Sequence, residues 1–340
     1  MTMKRHNEIK NKITAFSKEA YRNEELLDEL FRFQQEVINL TFEETYAENM
    51  NLRMDDVYKY LESKNQDLGA VADEEIDRLR KYCEDFSTMI GREVAGTNGE
   101  KKVFRALETL NTESLVLQNV ELMSDSNRAE IDAVVITPKA IFLLEVKNSS
   151  HDMIIDARGN YYRARGYMNF DYNIAEKVNV KEHLLLKTIK ESDLSEEIKK
   201  INLVRLVVFA NSKMHCDNRF KYLRTCYLSN LPHVIDEHIG KDSYSSEDIN
   251  AIAAVIEKAQ QKEAYPVDFD FDGFKECFAN IMVSLEKTAE IEKEISEEQV
   301  YEEIWINREN IFNKKFKYMA GAVASAAALA LTGVAYKLSR

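Results

Sequence analysis

The stretch EIDAVVITPKAIFLLEVK, residues 130–147, decides how this chain reads. Its two apolar runs, Ile131–Ile136 and Ile141–Val146, have the composition of buried strands. Thr137-Pro138-Lys139-Ala140 lies between them, and Pro suits the second position of a tight turn. Asp132, Glu145 and Lys147 interrupt the apolar pattern. Buried charges are costly unless they are paired or bound to a metal. If Thr137 pairs with Ala140, the same register sets Asp132 opposite Glu145, with Cβ atoms roughly 5 Å apart. Like charges so placed repel, so a positive group is expected between them. Glu145 and Lys147 share one face of their strand. A divalent cation held by both carboxylates, with the Lys147 ammonium beside it, meets that requirement. The plainer alternative is a sheet-edge strand carrying an exposed Glu/Lys pair.

Upstream, Gly91, Gly96 and Gly99 punctuate the chain before a helix expected from about Asn98 to Leu110. Glu100 falls on the same stripe as Val103, Phe104 and Leu107, in the expected first turn. It is either an acid favoured there by the helix dipole or a third carboxylate of the site. Strands are expected at about 115–121, 129–137, 140–148, 152–156 and 161–165, and a helix over 174–190. Ile201–Ala210 and Tyr222–Leu228 read as two further strands. This order is mixed α/β, and no Gly-rich phosphate loop is present.

The flanks differ in character. Residues 1–68 lack Gly and Pro and carry apolar residues at helical spacing, so 1–90 reads as a helical region, with coiled coil as one form of it. Residues 241–313 form an acidic helical region. The net charge of −13 lies in these flanks: residues 91–240 hold 21 basic and 21 acidic side chains. A balanced middle neither requires nor excludes a polyanionic partner. Four scattered cysteines fit a reduced, cytoplasmic setting. Cys216, Cys226, His233 and His238 match no common zinc spacing. The N-terminus lacks an apolar signal core. Tyr318–Tyr336 is uncharged for 19 residues within the apolar C-terminal segment 314–340, with lysines before it. It reads either as a membrane anchor on the cytoplasmic face or as a packed, oligomerising helix.

The pieces GTNGEKKVFRAL (96–107), LVLQNVEL (115–122), EIDAVVITPKAIFLLEVKN (130–148) and LVVFAN (206–211) resemble the nuclease-related domain, NERD, of the PD-(D/E)xK nuclease superfamily. The likeness extends over about 91–240. It implies a restriction-endonuclease-like core, a mixed sheet flanked by helices, with helical extensions on either side. It also implies that Glu100, Asp132, Glu145 and Lys147 form the catalytic set. Two departures stand out. Ala140 occupies a turn position where the family has Gly. Asn173-Ile174-Ala175-Glu176-Lys177 stands where the family has N-P-x-x-Q.

The expected function is therefore hydrolysis of nucleic-acid phosphodiesters, DNA above RNA. Asp132, Glu145, the Val146 backbone carbonyl and Glu100 are expected to hold Mg2+ or Mn2+. Lys147 is expected to act on the attacking water. Arg163, Arg165, Lys177 and Lys181 are the expected phosphate contacts. The alternative is a non-catalytic, nucleic-acid-binding or membrane-anchored scaffold or sensor built on the same domain, with homo-oligomers formed through the helical regions.

Overall fold

The computed structural model of the protein describes residues 2–13, 24–42, 51–124, 127–164, 168–241, 243–261, 267–300, 302 and 305–306. In chain order its elements are α1 (Thr2–Lys12), α2 (Glu24–Phe42), α3 (Met54–Leu68), α4 (Asp73–Leu107), β1 (Leu115–Ser124), β2 (Asn127–Ile136), β3 (Ile141–Lys147), β4 (Met153–Ile155), β5 (Asn160–Ala164) and β6 (Met168–Asn173). There follow α5 (Ile174–Lys190), β7 (Leu203–Phe209), β8 (Cys216–Asn218), β9 (Arg224–Tyr227), α6 (Leu231–Asp236), α7 (Ser246–Ala259) and α8 over 271–300.

The β2–β3 hairpin closes on the turn expected. The Thr137 amide donates to the Ala140 carbonyl at 3.0 Å, and the Thr137 hydroxyl accepts from the Ala140 amide at 3.1 Å. The ladder then pairs Ile136 with Ile141 and, at its far end, Ala133 with Leu144. β3 is not an edge. It lies third in a five-stranded sheet of order β1-β2-β3-β7-β9, antiparallel to β2 and parallel to β7. Ile141 through Val146 are all buried, as a strand covered on both faces must be. On one face Ile141, Leu143, Val134 and Ile136 pack with Val178 and Leu185 of α5 and Ile252 and Ile256 of α7. On the other, Phe142, Leu144 and Ala133 pack with Val103 and Leu107 of α4 and Leu231 and Ile235 of α6. The result is a mixed α/β core of three layers, as the sequence pattern predicts.

A second sheet, order β6-β5-β4-β8, was not expected. β8 is short and polar, CDN; β6, MNFDYN, does alternate Met168, Phe170 and Tyr172 with Asn169, Asp171 and Asn173, a period-2 signal in a short run beside no long apolar stretch. The expected break before a helix at Asn98 is also corrected. α4 runs without interruption from Asp73, so Gly91, Gly96 and Gly99 all lie inside a helix. At Gly99 a Cβ would stand 2.6 Å from the Asn148 Cβ, just past β3. That glycine permits close approach of helix to strand rather than ending the helix.

The described residues fall into two compact units, each drawn from separated stretches of chain. One lies within 14–39 and 84–269 and holds both sheets. The other lies within 1–13, 40–83 and 270–340 and is helical. It buries Ile9, Val57, Leu61 and Leu79, stacks Phe274 on Phe278, and joins Arg5 to Glu286 at 2.8 Å. Among the described residues no helix is long and apolar enough to cross a membrane. The segment 318–336 lies outside the described residues.

Candidate active site

The β1–β2 ladder skips one position. Gln118 pairs with Ala133 and Val120 with Ile131, but Asn119 and Asp132 form no pair. Asn119 has φ 50°, the left-handed region that Asn tolerates better than most residues. The strands change phase there: Leu117 and Val120 share one core, as do Ile131 and Val134. Asp132 is thereby released from the regular alternation of β2. Its Oδ2 accepts from the Val146 amide of β3 at 2.6 Å. So the carboxylate continues the hairpin one position past its last backbone pair.

Glu145 is next to it and 3 % exposed. Lys147, two residues on along the same strand face, donates to Glu145 Oε1 at 2.5 Å. The positive group expected between the two carboxylates is there, and it belongs to Lys181. From the buried side of α5 its Nζ donates to Asp132 Oδ1 at 2.9 Å and also to Glu145 Oε2. Lys181 was expected as a phosphate contact; it is 9 % exposed and lies inside the carboxylate pair. A signal for this existed. Ile174, Val178, Lys181 and Leu185 recur at helical spacing, so the lysine occupies a core position of the stripe.

These groups line a cleft of about 810 Å³, together with Glu100, Tyr172 and Lys177. Glu100 lies in the last quarter of α4, far from its N-terminus, so the helix dipole does not account for it. Burial, then the negative charges of Asp132 and Glu130, push its carboxyl up to about 7. Burial alone would raise Glu145 too, but Lys147 and Lys181 outweigh it and hold that carboxyl well below the usual range. Burial likewise disfavours the Lys147 charge, and Glu145 more than restores it. Lys181 follows the same balance, restored by Asp132 and Glu145.

The remaining expected contacts divide. Lys177 lines the cleft, with its ammonium 4.1 Å from the Tyr172 ring centroid. The Lys147 ammonium stands 5.7 Å from the centroid of that same ring. Tyr172 is a site residue the sequence did not suggest, because it sits on the unforeseen β6. Arg163 is engaged elsewhere, in a two-pronged ion pair with Asp171 that includes a 2.7 Å bond. Arg165 lies outside the described residues. The Val146 amide is donated to Asp132. Asn173, at the head of the departed N-P-x-x-Q position, caps α5 by accepting from the Glu176 amide at 2.9 Å.

Do these groups fit a divalent cation? Oxygens of Asp132 and Glu145 converge on one cationic atom, which is the donor geometry a hard ion needs. Glu100 adds an acid raised by burial and then by the negative charges of Asp132 and Glu130, the latter of which a cation would offset. Among the described residues no three His, Cys, Asp or Glu side chains are grouped closely enough to hold a metal on their own. The fit is thus two carboxylates with a third acid in the same cleft.

Residues 95–210 match the family model of the nuclease-related domain, NERD. The resemblance carried by 96–148 and 206–211 is therefore shown. The matched stretch contains Glu100, Asp132, Glu145, Lys147, Lys177 and Lys181. No curated protein and no solved structure matches the chain.

Proposed function

We propose that this nuclease-related domain hydrolyses phosphodiester bonds of nucleic acid, DNA foremost, with Mg2+ or Mn2+ held by Asp132 and Glu145. The observation that carries the reading is the convergence of those two carboxylates on a single positive atom, in an open cleft, with Lys147 fixed beside them. A bound divalent ion lowers the pKa of a water ligand and offsets charge on the scissile phosphate. The chain's own groups do the rest. Asp132 is held by the Val146 amide and Glu145 by Lys147, so both acids are oriented before any ligand arrives. Lys147 keeps its proton and stabilises developing negative charge on the phosphate. Glu100, raised to about 7, exchanges a proton near neutrality and accepts one from the attacking water. Lys177 and Tyr172 form the cleft wall along which a phosphate backbone runs.

A second reading is a domain that binds nucleic acid without cutting it. Two observations favour it: Lys181 and Lys147 together neutralise the acid pair without a metal, and Lys177 stands in place of the family's Gln. One assay separates the readings. The full chain is incubated with linear DNA, circular DNA and RNA, each with Mg2+ or Mn2+. Asp132→Asn and Lys147→Gln are compared alongside, after circular dichroism has shown them folded. Cleavage by the native chain alone supports the enzyme. Retention of all three substrates uncut, under both metals, with binding preserved, leaves the second reading.

A further inference from the structure

Lys181 is the most unusual side chain of the cleft. Its position belongs to the apolar stripe of α5, yet it carries a charge into the core. The charge is stable there because two carboxylates receive it, Asp132 through Oδ1 and Glu145 through Oε2. With Lys147 added, two acids and two ammoniums balance, and the centre is neutral as it stands. A divalent ion bound to the same two oxygens adds charge that this arrangement does not accommodate, and it claims the space of the Lys181 ammonium. The lysine stem is flexible and opens onto the cleft that also holds Lys177.

Resting on the metal reading above, we infer that Lys181 is a resident counter-cation that exchanges with the divalent ion. In the metal-free protein it keeps Asp132 and Glu145 converged. When the ion binds, the ammonium moves out into the cleft and faces the phosphate backbone beside Lys177. Lys181 is thus a positioning residue that sets metal affinity and couples metal uptake to phosphate contact. The site then binds metal more weakly than the same acids without their lysine.

The test uses the full chain and Mn2+ alone. Amine acylation by an N-hydroxysuccinimide ester, read residue by residue by mass spectrometry, reports whether Lys181 is accessible. Calorimetry on the native chain, Lys181→Met and Asp132→Asn reports affinity and locates the ion. Exchange predicts that saturating Mn2+ raises Lys181 acylation several-fold. It also predicts that Lys181→Met binds Mn2+ about tenfold or more tightly, as removal of one nearby positive charge requires. If Mn2+ binds in an Asp132-dependent manner while Lys181 stays protected, the exchange is overturned and the metal site stands. If neither the native chain nor Lys181→Met binds Mn2+ through Asp132, the metal reading itself falls. The acylation arm needs no variant, so a Lys181→Met chain that fails to fold leaves the question answerable.

Discussion

Glu100 is a carboxyl whose surroundings favour its proton. Its value rises from 4.5 unfolded to about 7, chiefly by burial and then by Asp132 and Glu130. The folded state therefore binds more protons than the unfolded state between those two values. The stabilisation is complete below pH 4.5 and is lost as pH rises through about 7. Its size is on the order of 3 kcal/mol at most. Glu100→Gln keeps the shape and removes the titration. Urea midpoints of the metal-free chain should fall from pH 5 to pH 8, and that fall should be flatter in the variant. Equal slopes would show that Glu100 does not carry the effect. At this scale the sequence was informative where the chain is short and constrained. The Thr137–Ala140 turn fixes the register, and the register sets Asp132 beside Glu145. Lys181 is 36 residues from Glu145. Only the folding of α5 onto the sheet brings it there, although its place on an apolar stripe was visible in advance.

Elements were legible when their pattern was apolar and periodic. β1, β2, β3, β7 and α5 fall close to where alternation and helical spacing put them. β8 was not, because its pairing with β4 rather than its side chains makes it a strand, whereas β6 carries a short signal, Met168, Phe170 and Tyr172 alternating with polar residues, that the expected strands leave out. α4 shows the opposite error. Its glycines resemble punctuation, but the helix gains enough from Leu79, Phe86, Val103 and Leu107, all buried, to continue through them. The glycines should then differ under substitution. Gly91 has open space around its missing Cβ, so Gly91→Ala should stabilise by about 0.5–1 kcal/mol through helix propensity. At Gly99 the added carbon meets the root of the Asn148 side chain, which is tied by a 2.8 Å bond to the Ala95 carbonyl. Gly99→Ala should therefore destabilise by about 1–3 kcal/mol. Denaturant midpoints of the two variants should move in opposite directions; a shared direction would remove the close-approach account of Gly99.

On the scale of the whole molecule, the stretch with family resemblance and the stretch that folds are different lengths. The family match ends at 210, and the nuclease-related region read from sequence ends at 240. Yet β9 and α6 beyond 210 complete the sheet and one of its faces. α7, beyond 240, contributes Ile249, Ile252, Ala253 and Ile256 to the same core as Val134 and Leu143. The amide of Gln261 then donates to the Glu121 carbonyl of β1 at 3.2 Å, fastening the end of α7 to the sheet. The acidic composition of 241–313 masked this, because charge averaged over a region hides one helix with an apolar face. A compact unit needs both faces of a buried sheet covered, so α7 belongs to the core and is no appendage. Truncating a side chain on it should then cost as much as truncating one on the central strand. In the full chain, Ile252→Ala is expected to destabilise the sheet-bearing unit by about 2–5 kcal/mol, matching Leu143→Ala. Hydrogen exchange of the β2 and β3 amides reads this unit directly, and both variants should accelerate it together. If Ile252→Ala leaves those amides as protected as in the native chain while Leu143→Ala does not, α7 lies outside the cooperative core and the three-layer description fails on that face.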